Sequence, residues 1–363
     1  MFKQKHFIQQ CNFAVTKFVA LATFSITSLA MSVSFAAENL TGETASPGGS
    51  IHLSMSHLGE VAAANDIANI QIAAGQTLTN SVQNVAEGKT DIAGSPYILP
   101  FLLANGRGPY SKLGAEKGAE LASNLRALYP VTLGYFALYA FDSTGLGGWD
   151  DLQGKKLYNG PPRGAAVSNA RAIIQLTAGL KEGDGYEGIQ VNWGQAVKTI
   201  TDGSADGIVL PILFPDSRIT QALAAGNMTV WSIPKEKFES EPFQKYLKAP
   251  GSAPFEAPIA DLAMGEGVTM KSEDGTFRAL ATIGGDIVNK DMPFELAKAL
   301  TKAHIDSLDA LKAKAPFAEN AGYGIVDVVR SGMCGPNPLK YHAGAAAAWE
   351  EAGFEIDDCA KPE

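Results

Sequence analysis

Three observations predict an α/β chain made of two units, each a mostly parallel sheet flanked by helices. Short apolar runs alternate with stretches of helical spacing through residues 51–255, the pattern of strand–helix units with parallel strands. At 363 residues the chain exceeds one ordinary core and suits two. Its 46% hydrophobic and 18% charged residues read as globular, and 38 glycines with 19 prolines supply many turns.

Taken in order, the N-terminus reads as an address. Lys3, Lys5 and Lys17 precede an uncharged apolar run over residues 18–31. The run ends at Ser34-Phe35-Ala36-Ala37, a small-x-small pattern suited to signal peptidase, which predicts a signal peptide over residues 1–36. A membrane anchor is the alternative, but the run is short for one and no basic cluster follows. No later stretch stays apolar for about 18 residues, so no transmembrane segment is expected in the mature chain. Without residues 1–36 there are 26 basic against 38 acidic residues, a net charge of −12. That acidity argues against a nucleic-acid partner. It leaves room for one small anion, because a local pocket can oppose the global charge.

Residues 37–47 are small and polar and read as a flexible lead-in. Residues 51–55 read as a strand, 59–70 as a helix and 69–74 as a second strand. Residues 79–88 form a helix with Val82 and Val85 at helical spacing and Gly88 as its stop. A third strand starts at 91–93. Residues 125–140 have the longest strand character and suit a crossing between lobes. Beyond it, residues 166–180 and 195–202 read as helices, 207–210 as a strand, 217–225 as a helix and 228–233 as a strand. Residues 293–311 read as one long helix with Ala297, Leu300, His304, Leu308 and Leu311 in a stripe. The expected organisation is a first lobe over 48–137, a second over 138–255, and a return to the first lobe with C-terminal helices over 256–363.

Enzyme signatures fail their structural tests. Gly88-Lys89-Thr90 resembles the end of a phosphate loop, but Gln83 stands where that loop needs glycine. Gly183-Asp-Gly185-Tyr-Glu-Gly188 spells a dinucleotide fingerprint, yet it follows a helix rather than a strand and reads as a surface turn. The five histidines, among them His52, His57 and His304, show no metal spacing, and no serine lies in a nucleophile elbow. No metal, no cofactor and no catalytic residue are therefore expected. His304 reads as a packed histidine. Cys334 and Cys359 can pair after export or stay two free thiols.

Binding chemistry is expected at loops where strands end and helices begin, because helix starts present free N–H groups and partial positive charge. Four loops qualify. The first carries Ser54, Ser56 and His57; the second Gly75, Gln76, Thr77 and Asn80. The third carries Pro162, Arg163, Gly164 and Ala165, and the fourth leads through Phe214 to Asp216. Loops from two lobes facing one another make a cleft. Arg163 is the candidate to hold a carboxylate by two parallel bonds. Tyr97 with neighbouring Ser95, Trp193 and Phe214 are candidate cleft walls, with core packing as the alternative.

These segments resemble a known family. Gly75-Gln-Thr77-Leu-Thr-Asn80, then Val85-Ala-Glu-Gly-Lys-Thr-Asp91-Ile-Ala-Gly, Leu125-Arg-Ala-Leu-Tyr-Pro, Leu152-Gln-Gly-Lys-Lys and Gly160-Pro-Pro-Arg-Gly164 follow its order. Asp202-Gly-Ser-Ala-Asp206-Gly and Pro338-Leu-Lys-Tyr-His342-Ala-Gly344 continue it. Together, over residues 48–355, they resemble the TAXI family, the TRAP-associated extracytoplasmic immunogenic proteins. The resemblance implies a two-lobed, type II-like periplasmic-binding-protein fold joined by a hinge. It implies an exported, periplasmic protein that captures a small organic anion, such as a carboxylate, and delivers it to the membrane subunits of a TRAP permease. Three presumed ligand loops depart from the family pattern: Ser54-Met-Ser-His-Leu-Gly59, Ala74-Gly75-Gln76-Thr77 and Pro162-Arg163-Gly164. A relative's ligand therefore does not carry over. A binding protein of an ATP-driven importer or a sensor shares the fold and is the alternative. An enzyme on this scaffold would need a cofactor-bearing cysteine and a cleft rich in arginine.

Overall fold

A computed structural model describes residues 38–362 other than Arg163. The expected signal peptide over 1–36 lies outside the described residues. The strands are β1 Glu38–Glu43, β2 Ala68–Ala73, β3 Ile92–Pro96, β4 Leu125–Phe141, β5 Lys156–Tyr158, β6 Glu187–Ile189, β7 Gly207–Ile212, β8 Met228–Trp231, β9 Ser252–Pro258, β10 Val268–Lys271, β11 Thr276–Asn289 and β12 Lys340–Tyr341. The helices are α1 Ser50–Ala64, α2 Leu78–Ala86, α3 Ile98–Ala104, α4 Gly114–Ala122, α5 Ala165–Ala178, α6 Ala196–Thr201, α7 Ser217–Ala222, α8 Lys235–Phe238, α9 Glu241–Leu247, α10 Phe294–Asp306, α11 Leu308–Lys312 and α12 Ala343–Glu351.

The α/β class holds, as one curled mixed sheet with helices packed on it. β2, β1 and β3 run parallel, and β11 closes that set antiparallel to β3. A second parallel set, β6, β5 and β7, lies against the far part of β4. β4 and β11 pair with each other and run from one set into the other. Their register slips twice: Thr282 faces Gly134 but Ile283 faces Thr132, so Leu133 is the extra residue of a bulge, and Asp286 faces Tyr129 but Ile287 faces Ala127. Gly134 has φ +154° there, and a side chain would meet Pro211 Cβ at 2.9 Å. Only glycine fits that bend.

The first helix corrects an expectation. Residues 51–55 are not a strand, and Ser54, Ser56 and His57 lie within α1 rather than in a loop. Ile51, Leu53 and Met55 alternate, but Ile51, Met55, Leu58 and Ala62 continue at helical spacing, and all four are buried. The longer period decides the element. The expected lead-in is also corrected: residues 38–43 form β1, flanked by β2 and β3. Leu40 is its one large apolar side chain, so hydrophobicity alone gave little sign of a strand. The long helix expected at 293–311 breaks at Ser307, whose hydroxyl donates to the Ala303 carbonyl at 2.6 Å. Hydroxyls that bond back along a helix weaken it there. Cys334 and Cys359 form a disulfide with Cα atoms 5.5 Å apart.

Candidate functional site

Both parallel sets end at loops. β1, β2 and β3 run out into residues 44–49, 74–77 and 97. β5, β6 and β7 run out into 159–164, 190–195 and 213–216. These two loop groups approach each other: a methyl group placed on Gly48 would lie 3.8 Å from the Ser217 hydroxyl. Ligands of open α/β sheets bind at such strand ends.

Three of the longer helices start at this edge. α1, α2 and α5 begin after Gly49, Thr77 and Gly164, and none of the three receives a side-chain cap. Their first N–H groups keep their donor capacity for a guest. α7 differs: the Asp216 carboxylate accepts from the N–H groups of Arg218 and Ile219 and closes that helix start.

The start of α1 is fixed to the crossing strands. Ser50 Oγ donates to the Thr132 carbonyl at 2.7 Å, and Tyr323 Oη donates to the Ser50 carbonyl at 2.7 Å. Thr132 N–H donates to the Ala321 carbonyl at 2.8 Å. Tyr135 Oη donates to the Asn320 carbonyl at 2.6 Å, and Asn320 Nδ2 reaches the Phe214 carbonyl at 3.4 Å. Residues 320–323 thus tie α1, the crossing strands and the β7–α7 loop together.

The residues expected at the site divide into three groups. Gly75, Gln76 and Thr77 are exposed on the β2–α2 loop and Asn80 is exposed in the first turn of α2; Pro162 and Gly164 are exposed and Ala165 is half-buried at the start of α5. Trp193, 44% exposed, lies on the loop after β6. These occupy the strand-end edge. Four others turn their side chains into the protein interior. Ser54 Oγ donates to Asp286 Oδ2 at 3.0 Å, and His57 Nε2 pairs with Ser307 Oγ at 2.8 Å. Burial, then the positive field of Lys314, holds the His57 pKa below its ordinary value. Ser95 donates to the Pro96 carbonyl at 3.0 Å, and Tyr97 Oη donates to the Tyr129 carbonyl at 3.0 Å. Ser56, half-buried, lies 3.3 Å from His52 Nε2. Phe214 is fully buried, with ring centres of Tyr135, Phe277 and Phe255 at 5.3, 5.4 and 5.9 Å. Its burial makes it core. Arg163 lies outside the described residues.

Sequence reasoning missed Ser50, Thr132, Asn320, Tyr323 and Arg218. Gly48-Gly49-Ser50 before a helical apolar run was a readable helix-start signal. Thr132, Asn320 and Tyr323 act through contacts distant in sequence and carry no local signal, whereas Arg218 bonds Asp216 two residues before it. A cavity of about 470 Å³ lined by Trp149, Trp231 and Lys271 lies off this edge. Its unpartnered Trp231 Nε1 and Ser272 Oγ are sealed from solvent.

A model of the NMT1-like family matches residues 43–353. The chain belongs to the NMT1-like family. No curated protein matches it in sequence. Among solved structures it is similar to a Bordetella pertussis extracytoplasmic solute receptor that binds pyroglutamic acid, at 13% identity over 87% of this chain and 93% of the other, TM-score 0.44. It is also similar to a putative periplasmic sulfonate-binding protein of Methylobacillus flagellatus, at 14% identity over 90% and 92%, TM-score 0.46. A third is the periplasmic ectoine-binding protein of a Halomonas elongata TRAP transporter, at 11% identity over 86% and 90%, TM-score 0.42. At such scores these likenesses add nothing about ligand or partner. Within this NMT1-like chain, no helix of the described residues is long and apolar enough to cross a membrane.

Proposed function

We propose that the chain is an exported solute-binding protein that captures a small organic anion, a carboxylate, between two lobes and hands it to a membrane permease. It performs no catalysis and needs no metal or cofactor. The observation that carries this reading is the pair of facing loop groups, with α1, α2 and α5 opening on them uncapped. Free N–H groups at helix starts suit an anion without a formal cation at each contact.

The first lobe comprises the β1–β3 set with the C-terminal return, and the second comprises the β5–β7 set. The bulge at Leu133 in β4 serves as part of the hinge. Closure sandwiches and desolvates the ligand, and the closed form is the one that docks. The motif order shared with the TAXI family supports a TRAP permease as partner and the periplasm as the location. Arg163, which precedes α5 in the sequence, is the residue proposed to add a charged contact to the carboxylate.

The test is a thermal-shift screen of the mature protein, unfolded and refolded to strip bound ligand, against amino acids, keto acids, dicarboxylates, aromatic acids and sulfonates. A binder at 100 times its dissociation constant adds about 2.7 kcal/mol, a shift of several degrees. A hit confined to neutral or cationic solutes would overturn the anion chemistry. No hit in any class would overturn the receptor reading.

A further inference from the structure

We infer that Arg218 is a second anion grip of this site, holding a ligand carboxylate through its free Nη1 edge beside Trp193. The inference rests on the reading proposed above and adds a residue to it. Arg218 lies one residue after Ser217, which faces Gly48 across the two loop groups. Its Nε donates to Asp216 Oδ1 at 3.2 Å and its Nη2 to Asp216 Oδ2 at 2.8 Å. Nη2 also reaches the Pro211 carbonyl. The guanidinium carbon sits 5.3 Å from the centre of the Trp193 ring. Two edges of the fork are therefore held, while Nη1 has no protein partner among the described residues. The side chain keeps 20% of its surface exposed.

The Asp216 partner does not cancel this charge. Its carboxylate also accepts from the backbone N–H groups of Leu213 at 3.3 Å, Arg218 at 2.9 Å and Ile219 at 3.3 Å. Its negative charge is shared with the α7 start, so the guanidinium keeps an outward positive field. Burial is the largest single influence and works against that charge, but Asp216 together with the Tyr139 and Tyr158 hydroxyls outweighs it and holds the Arg218 pKa above its ordinary value. The arrangement is a rigid, permanently charged fork with one open side. A fork ordered before the ligand arrives loses little side-chain freedom on binding.

Trp193 makes this measurable without knowing the ligand. It is 44% exposed, whereas Trp149, Trp231 and Trp349 are 4%, 7% and 0% exposed. Its fluorescence, taken against a Trp193→Phe blank, reports collisional quenching by iodide and by caesium. A unit charge about 6 Å away in water changes a local ion concentration about threefold. The Asp216 carboxylate offsets part of this field, so iodide should quench Trp193 more strongly than its collision rate alone predicts, by up to about threefold, and caesium less. Arg218→Gln should abolish this contrast and Arg218→Lys should keep most of it. Sodium acetate at constant ionic strength should protect Trp193 from iodide in the wild type and not in Arg218→Gln.

Equal quenching by both ions in the wild type, or an unchanged contrast in Arg218→Gln, would overturn the inference. If Arg218→Gln does not fold, the wild-type contrast, the acetate protection and the lysine variant decide. The receptor reading fails separately: it falls if the refolded protein responds to no solute, whatever the quenching contrast.

Discussion

Asp286 lies in the middle of β11 with no exposed surface. Its Oδ2 accepts from Tyr129 Oη at 2.8 Å and Ser54 Oγ at 3.0 Å, while Oδ1 has no partner. Burial raises its pKa to about 6, against the pull of those two hydrogen bonds. His304 stacks on Tyr129 with ring centres 3.6 Å apart, and burial lowers its pKa to about 3. The signs oppose. The folded state holds the Asp286 proton more tightly than the unfolded chain, so this group's stabilisation is full below about pH 3.9 and lost as pH rises through about 6. The folded state holds the His304 proton less tightly, so that group destabilises as pH falls from about 6.5 toward 3. Asp286→Asn removes the first effect alone. Lowering pH from 7 to 4 should stabilise the wild type relative to the variant by about 2 kcal/mol, read from urea unfolding at each pH. Parallel pH curves for the two proteins would refute the assignment. Residue types at this scale were readable in the sequence, but directions were not. Ser54 and His57 look like ligand residues by type, and α1 turns both inward.

At the scale of elements, period and continuity decided what could be read. α2, α6, β7 and α7 emerge within a few residues of their expected places because each combines a clear period with a Gly, Asp or Ser boundary. β1 and α1 did not, because an alternation of three apolar residues mimicked a strand and displaced everything before it. The first strand-end loop is therefore residues 44–49, not the segment around Ser54. β11 has no local signature that separates it from a loop return; its pairing with β3, β4 and β9 defines it. The disulfide also acts at this scale. It ties residue 334, just beyond the 320–323 segment that meets α1, to the tail at residue 359 across 25 positions. A loop of that size restricts the unfolded chain by about 3 kcal/mol in the chain-entropy account. Replacing both cysteines by serine should lower unfolding stability by roughly that amount, measured with guanidinium under non-reducing conditions. A double variant as stable as the wild type would show that the bridge restrains little.

For the whole molecule, alternating strands and helices made two parallel sets legible, and the 125–140 run was recognised as a crossing strand. Its partner β11 was not, so the bulge opposite Thr282 and the Gly134 bend had no sequence counterpart. Both groups of strand-end loops were legible, although the first loop was misplaced by one element. The central claim is that these halves close on a small acid. Small-angle X-ray scattering of the refolded mature protein, with and without a saturating acid from the thermal-shift screen, tests it most directly. The account predicts a smaller radius of gyration in the presence of the acid. An unchanged radius with the acid demonstrably bound would contradict capture by closure and leave a rigid surface site in its place.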